Sequence, residues 1–152
     1  DVAAAQGFIL VRALTRVSDR ALRIAVAVLA LAGAAIAVYL TYTKYADATI
    51  ACSTGGCETV QSSEYAEILG LPVPILGLIG YLGIFATTFV AGETARLVGA
   101  ALALGGLAFS IYLLVVQIVA IGALCQWCLA SDVVMLLLTV AAVARLRRPA
   151  PG

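Results

Sequence analysis

The stretch IAVAVLALAGAAIAVYLTY, Ile24 to Tyr42, holds nineteen residues without a single charge. It does not alternate apolar with polar as a barrel strand must, and it has the ~20 residues that a helix needs to cross a hydrocarbon core. Three further runs repeat the pattern: Pro74 to Ala91, Leu97 to Ile121 and Cys125 to Leu146. The whole chain of 152 residues is 64% hydrophobic and 11% charged, where a soluble domain carries roughly 25% charged residues. One small aqueous core cannot bury so much apolar side chain. The chain therefore reads as an all-α membrane protein: a four-transmembrane-helix bundle forming one domain over 1–152, with an outer loop carrying a short interfacial helix. Glycines are dense in the runs (Gly33; Gly77, Gly80 and Gly83; Gly105 and Gly106). They suit close contact between lipid-embedded helices, or else mark helix weakness.

The arginines sort to one side. Arg12, Arg16, Arg20 and Arg23 precede the first run, Arg96 lies between the second and third, and Arg145, Arg147 and Arg148 end the fourth. The opposite side has Lys44 with Asp47, Glu58, Glu64 and Glu67. The positive-inside tendency then places both termini and the GETAR turn in the cytoplasm, and the outer loop, 44–73, outside. The basic segment 1–23 reads as a short helix on the inner leaflet or as a disordered basic tail. Pro149 and Pro151 stop the last helix.

All four cysteines fall on the outer face: Cys52 and Cys57 in the loop, Cys125 and Cys128 where the fourth run begins. They allow static disulfides or buried thiols, a zinc site of four thiolates, or a redox relay. Cys125-Gln126-Trp127-Cys128 has the Cys-x-x-Cys spacing at a helix start, where the positive end of the helix dipole favours a thiolate. A second pair on the same face favours the relay, because thiol–disulfide exchange needs sulfurs that can touch. Ser53, Thr54, Gly55 and Gly56 between the loop cysteines are small and let that pair open and swing. After Cys57, the segment ETVQSSEYAEILG reads as a weakly amphipathic helix ending at Gly70, with Pro72 and Pro74 turning the chain into the second run.

Electrons leaving thiols beside an apolar bundle call for a lipid-soluble acceptor, a quinone. Asp132 stands four residues after Cys128, on its helical face, and a carboxyl within a span is costly enough to suggest function. Protonated, it could donate a proton to a quinone oxygen; the plainer reading is an acid hydrated near the surface. Gln117 carries the same two readings. Trp127 and Tyr81 suit interface anchors or core more readily than quinone contacts.

CSTGGCETVQSSEYAEILGLPVPILGLIGY followed by CQWC at the last run resembles the vitamin K epoxide reductase family, in its bacterial branch. The resemblance extends over nearly the whole chain. The order of the cysteine pairs separates it from disulfide bond formation protein B, whose Cys-x-x-Cys lies in the first outer loop. The resemblance implies four helices around a quinone, menaquinone or ubiquinone, with the outer loop as a lid. It makes Cys128 the cysteine that reacts with the quinone and Cys125 its partner. Cys57 becomes the loop cysteine that exchanges with Cys125, and Cys52 the outermost one, facing a protein substrate. Ser63 matches the family's loop Ser/Thr, and Gly77 and Tyr81 match a glycine and a tyrosine in the second span. Vertebrate members carry tyrosine in place of Asp132 and asparagine in place of Val73, which weakens the expectation of vitamin K epoxide chemistry. Many bacterial members carry a fused thioredoxin-like domain, and none is expected within 1–152.

The resulting expectation is a quinone-linked thiol-disulfide oxidoreductase of the bacterial inner or plasma membrane. Its partners would be an extracytoplasmic thioredoxin-fold (DsbA-like) protein, lipid and quinone, with no nucleic acid and no metal. The alternative is a structural membrane module whose disulfides pin its loop.

Overall fold

A computed structural model of the chain describes residues 2, 5–7, 9, 12 and 17–149. Much of the expected basic segment 1–23, including Arg16, lies outside the described residues, as does the end of the chain from Ala150.

Helix α1, Asp19–Tyr45, starts where the Ser18 hydroxyl accepts the Ala21 N–H at 3.2 Å, and Asp19 sits in its first turn. Both features satisfy or complement the exposed amide end of a helix. The outer loop follows, and then helix α3, Val73–Thr87, which opens after Pro72. Helix α4, Glu93–Val115, runs on as a π-helix, Val116–Ile121. Helix α5, Gln126–Leu146, is capped by Cys125.

Among the described residues three helices are long and apolar enough to cross a membrane: Asp19–Tyr45, Glu93–Ile121 and Gln126–Leu146. The second apolar run gives a shorter helix than expected. Helix α3 has 15 residues, about 22 Å at 1.5 Å each. The hydroxyls of Thr87 and Thr88 donate to the Ile84 and Phe85 carbonyls at 2.6 and 2.7 Å. Such side-chain bonds compete with the helix's own ladder, and the chain turns there, short of Ala91.

Helix α1 packs on α3 and α5, and α4 packs on α3 and α5. The shared core includes Val26, Ala30, Tyr81, Ile84, Ala103, Met135 and Leu138. Only 11–33% of the most apolar window of each long helix is buried inside the protein. Val28, Leu31, Val38, Leu104, Ile111, Val119, Val133 and Leu137 face outward. Helices apolar on both inner and outer faces are those that meet lipid.

The glycines divide by task. A Cβ on Gly33 would enter the Tyr81 ring, one on Gly99 would meet Thr87, and one on Gly106 would meet Met135. These are the close contacts expected of small residues. Gly77, Gly80 and Gly105 have open space beside them instead. At the end of the bundle where α1 begins, Asp19 pairs with buried Arg96 at 3.0 Å and lies 3.7 Å from buried Arg145.

The outer loop departs from expectation. Helix α2 is only Cys57–Gln61, followed by a 3-10 turn, Glu64–Ala66. A small antiparallel hairpin then pairs β1, Glu67–Ile68, with β2, Leu71–Pro72. The helix expected as far as Gly70 stops because Ser62 and Ser63 turn their hydroxyls back on the Glu58 and Val60 carbonyls, both at 2.7 Å. Lys44 at the end of α1 holds the hairpin through Glu67 at 2.8 Å.

Candidate active site

The loop pair and the helix pair meet. Cys52 and Cys57 form a disulfide, while Cys125 and Cys128 are free thiols. Cys57 and Cys125 are wholly buried and pack together with Val60, and Cys52 and Cys128 lie against that cluster. Sulfurs more than sixty residues apart in sequence thus share one apolar pocket of the fold.

The loop is held there by hydrogen bonds. The Gln126 side chain accepts the Ser53 N–H at 2.8 Å and donates to the Ala51 carbonyl at 3.2 Å. The Trp127 ring N–H donates to the same carbonyl at 2.7 Å, and its ring lies 4.8 Å from that of Tyr39. The Tyr39 hydroxyl accepts the Ala51 N–H at 3.1 Å, and the Thr54 hydroxyl donates to the Leu124 carbonyl at 2.9 Å. Gly56 lies flat on the lead-in to α5, so that a Cβ there would stand 2.5 Å from the Leu124 oxygen.

Helix α5 positions the second pair. Cys125 is its N-cap, and its sulfur accepts the Cys128 N–H at 3.4 Å. A donor in that place is where a thiolate's charge would be held. Cys125's own N–H donates to the buried Gln117 side chain at 3.0 Å.

Of the four cysteines, only Cys128 lines a cavity of about 180 Å³ inside the bundle. Its walls are mostly apolar, from Ile36, Leu40, Leu102, Phe109, Leu113 and Met135. Gly77 and Gly80 give it room on the α3 side, which is why they touch nothing. Asp132 lines it one turn below Cys128, and one of its carboxyl oxygens is buried with no hydrogen-bond partner. Tyr81 and Ser131 border it together, the Tyr81 hydroxyl donating to the Ser131 carbonyl at 3.0 Å and lying 2.7 Å from the Ser131 hydroxyl.

The vitamin K epoxide reductase family matches residues 24–143. This chain belongs to that family. The matched residues run from the start of α1 nearly to the end of α5 and include all four cysteines. The thiol-disulfide oxidoreductase LTO1 of Arabidopsis thaliana is 37% identical over 57 residues, a match spanning 36% of this chain and 15% of that relative. With the family shown and three helices of spanning length, this is a membrane protein.

In this vitamin K epoxide reductase family member the four cysteines and Asp132, Gln117, Tyr81 and Ser63 lie at the cluster or the cavity. Cys52, Cys57 and Cys125 form the cluster, and Cys128 joins it to the cavity. Asp132, Gln117, Tyr81 and Ser63 line the cavity. Ser63 does so with its hydroxyl turned back to the Val60 carbonyl of α2. Trp127 is not a cavity wall; it packs against the cysteine cluster, as a core residue would, and also clamps the loop. Gln61, Gln126, Tyr39, Ser110 and Ser131 were not anticipated, and Thr54, expected only to let the loop pair swing, ties the loop to the Leu124 carbonyl. Gln61 donates to the Cys128 sulfur at 3.5 Å from the loop helix, and Ser110 of α4 lines the cavity together with Asp132. Polar residues inside apolar runs, such as Ser110 and Ser131, were the available signal for two of these.

Proposed function

We propose that this chain is a quinone-dependent thiol oxidase that reoxidises an extracytoplasmic thioredoxin-fold protein and so supports disulfide formation. The observation that carries the reading is the placement of Cys128. It touches the cluster that holds the other three sulfurs and is the only one of the four cysteines to line the apolar cavity. Sulfurs in contact can exchange by thiolate attack, and an electron pair reaching Cys128 has its exit into the bundle.

The roles follow from access. Cys52 is partly exposed and receives the partner's thiol; Cys57, buried against Cys125, passes the exchange inward. Cys125 and Cys128 then hold the electron pair as a dithiol.

The cavity suits a quinone ring. Its apolar walls fit the ring and tail, and the unpartnered Asp132 oxygen and the Tyr81–Ser131 hydroxyls fit the ring oxygens. A quinone held there, menaquinone or ubiquinone, would supply an acceptor for two electrons and two protons. Asp132, which lines the cavity, would hold one such proton. Helix α3 completes a bundle of four spans; it is shorter than the ~30 Å core, a mismatch that local thinning or flanking loops absorb at modest cost. The Asp19–Arg96–Arg145 end is cytoplasmic and the cysteine end extracytoplasmic, by the positive-inside tendency, in a bacterial inner or plasma membrane.

The test is quinone reduction by the purified protein supplied with a reduced thioredoxin-fold protein and a short-chain quinone. Consumption of quinone matched one-to-one by partner disulfide supports the reading. Partner oxidation without quinone consumption would place the acceptor elsewhere.

A further inference from the structure

Thr54 lies between the loop cysteines, and its hydroxyl oxygen is 3.2 Å from the Cys52 sulfur and 3.9 Å from the Cys57 sulfur. It has one proton, which goes to the Leu124 carbonyl at 2.9 Å. While the disulfide is closed, neither sulfur carries a proton or a charge, so the proton has no better acceptor than that carbonyl. A thiolate changes the competition, because hydrogen bonds to an ionised acceptor are about twice as strong as neutral ones. The Cys57 N–H already points at the Cys52 sulfur from 3.3 Å. Two donors therefore converge on Cys52, whereas Cys57 has the same hydroxyl only at 3.9 Å.

We propose that Thr54 is a catalytic residue of the exchange, its hydroxyl turning from the Leu124 carbonyl to hydrogen-bond the Cys52 sulfur when that sulfur becomes a thiolate. The proposal rests on the thiol-exchange reading of the site but not on the quinone. In the step concerned, a dithiol's first sulfur bonds to Cys52, the Cys52–Cys57 bond breaks and Cys57 leaves with the electron pair. The dithiol's second sulfur then bonds to its first, the bond to Cys52 breaks, and Cys52 leaves with its pair as a thiolate. The dithiol is oxidised by two electrons, the loop pair is reduced by two, and the two protons released are taken up by the loop thiols or by water. Thr54 stabilises the second leaving group at the moment its charge appears. The same turn of the hydroxyl frees the Leu124 carbonyl, so reduction loosens the loop from the lead-in to α5.

The test uses the whole protein in detergent and neither quinone nor partner protein, so its outcome is independent of both. Fully reduced protein is alkylated with iodoacetamide across a pH series and the Cys52 peptide is quantified by mass. Reduction of the oxidised loop by dithiothreitol is followed separately through Trp127, the chain's single tryptophan, which bonds the loop at Ala51. Thr54→Val should move the midpoint of the Cys52 alkylation profile upward by about one pH unit and slow by roughly tenfold the second step, release of Cys52 from its mixed disulfide with dithiothreitol, the scale of one charge-assisted hydrogen bond. Thr54→Ser should restore both. If Thr54→Val does not fold, Thr54→Ala removes the same hydroxyl and should show the same shift. Gln126→Ala loosens the loop without touching a sulfur, and should leave the Cys52 midpoint in place. A wild-type midpoint in the hydroxyl-free variants overturns the proposal. So does an equal shift in Gln126→Ala, which would reduce Thr54 to a holder of the loop.

Discussion

Replacing Gly56 with alanine would separate the two cysteine pairs with a single methyl group. The backbone there, φ −100° and ψ −3°, is open to any residue, so the change carries no conformational penalty of its own. The obstacle is on the other side. A Cβ on Gly56 would stand 2.5 Å from the Leu124 oxygen, 2.9 Å from its nitrogen and 3.2 Å from the Ala123 side chain. Ordinary contact begins at 3.4 Å, so the loop has to retreat by about 0.9 Å. The blocking atoms are backbone, held by the cap of α5, and do not swing aside. Cys57 is the next residue, and it would move away from Cys125 with the loop. A displacement near 1 Å from reacting geometry costs on the order of 10²-fold in rate. The Cys52–Cys57 bond lies wholly within the loop and should still form. The assay mixes protein oxidised at both pairs with one equivalent of dithiothreitol, quenches with a maleimide of added mass, and follows how fast the label moves from the loop pair to the helix pair. Gly56→Ala should label the loop pair at the wild-type rate and the helix pair about 10²-fold more slowly. Transfer at the wild-type rate would refute the claim that contact between Cys57 and Cys125 is what couples the two pairs.

Cys128→Ser should abolish quinone reduction while the Cys52–Cys57 pair still oxidises one equivalent of dithiol, read by thiol titration beside quinone absorbance; full turnover would remove Cys128 from its place as electron exit. Asp132→Asn should slow quinone reduction by about 10²-fold where proton transfer limits the rate and leave dithiol oxidation by the loop pair unchanged, and a rate-against-pH profile that overlays wild type would assign proton delivery to water. Asp19→Ala removes the carboxylate beside the buried guanidiniums of Arg96 and Arg145 while Arg96 keeps its bonds to the Arg148 and Pro149 carbonyls, a loss of about 1.5–3 kcal/mol for one charge-assisted bond; it should lower the midpoint of thermal unfolding in detergent while the Cys52–Cys57 disulfide still forms, and an unchanged midpoint would show the cluster to be hydrated.

What the sequence made legible is what depends on composition and short spacing. The absence of charge over Ile24–Tyr42 is enough for a lipid-facing helix, and the arginine bias is enough to bring Cys52, Cys57, Cys125 and Cys128 to one face. Where expectation failed, the cause was a local bond that hydrophobic pattern ignores. Ser62 and Ser63 end α2 early, and Thr87 and Thr88 end α3 early, each by offering a hydroxyl to a carbonyl three or four residues back. The clamp was illegible for a different reason. Gln126 reaches Ala51 and Ser53 across more than seventy residues, and no periodicity reports a partner that distant. Gly77 and Gly80 misled because a glycine that admits a neighbouring helix and one that makes room for a cavity are identical in sequence.

Gln117 joins these strands of the argument. It sits where α4 changes to a π-helix, a widening of the turn that recurs at functional sites. Its carbonyl accepts the Gly122 and Ala123 N–H groups at 2.9 and 3.2 Å, closing the turn through Gly122 at φ 71°. Its side chain accepts the Cys125 N–H, so one residue fixes both the path into α5 and the first cysteine of the pair. It also faces the cavity. An ordinary α-helical end would point residue 117 elsewhere by a fraction of a turn, leaving a buried N–H at Cys125 unsatisfied at a cost of roughly 1–3 kcal/mol. The irregular segment is therefore the means by which a lipid-spanning helix, regular for about six turns, leads into Cys125 with its N–H bonded: the polar group that looked out of place among apolar residues is the one that the cysteine's backbone requires.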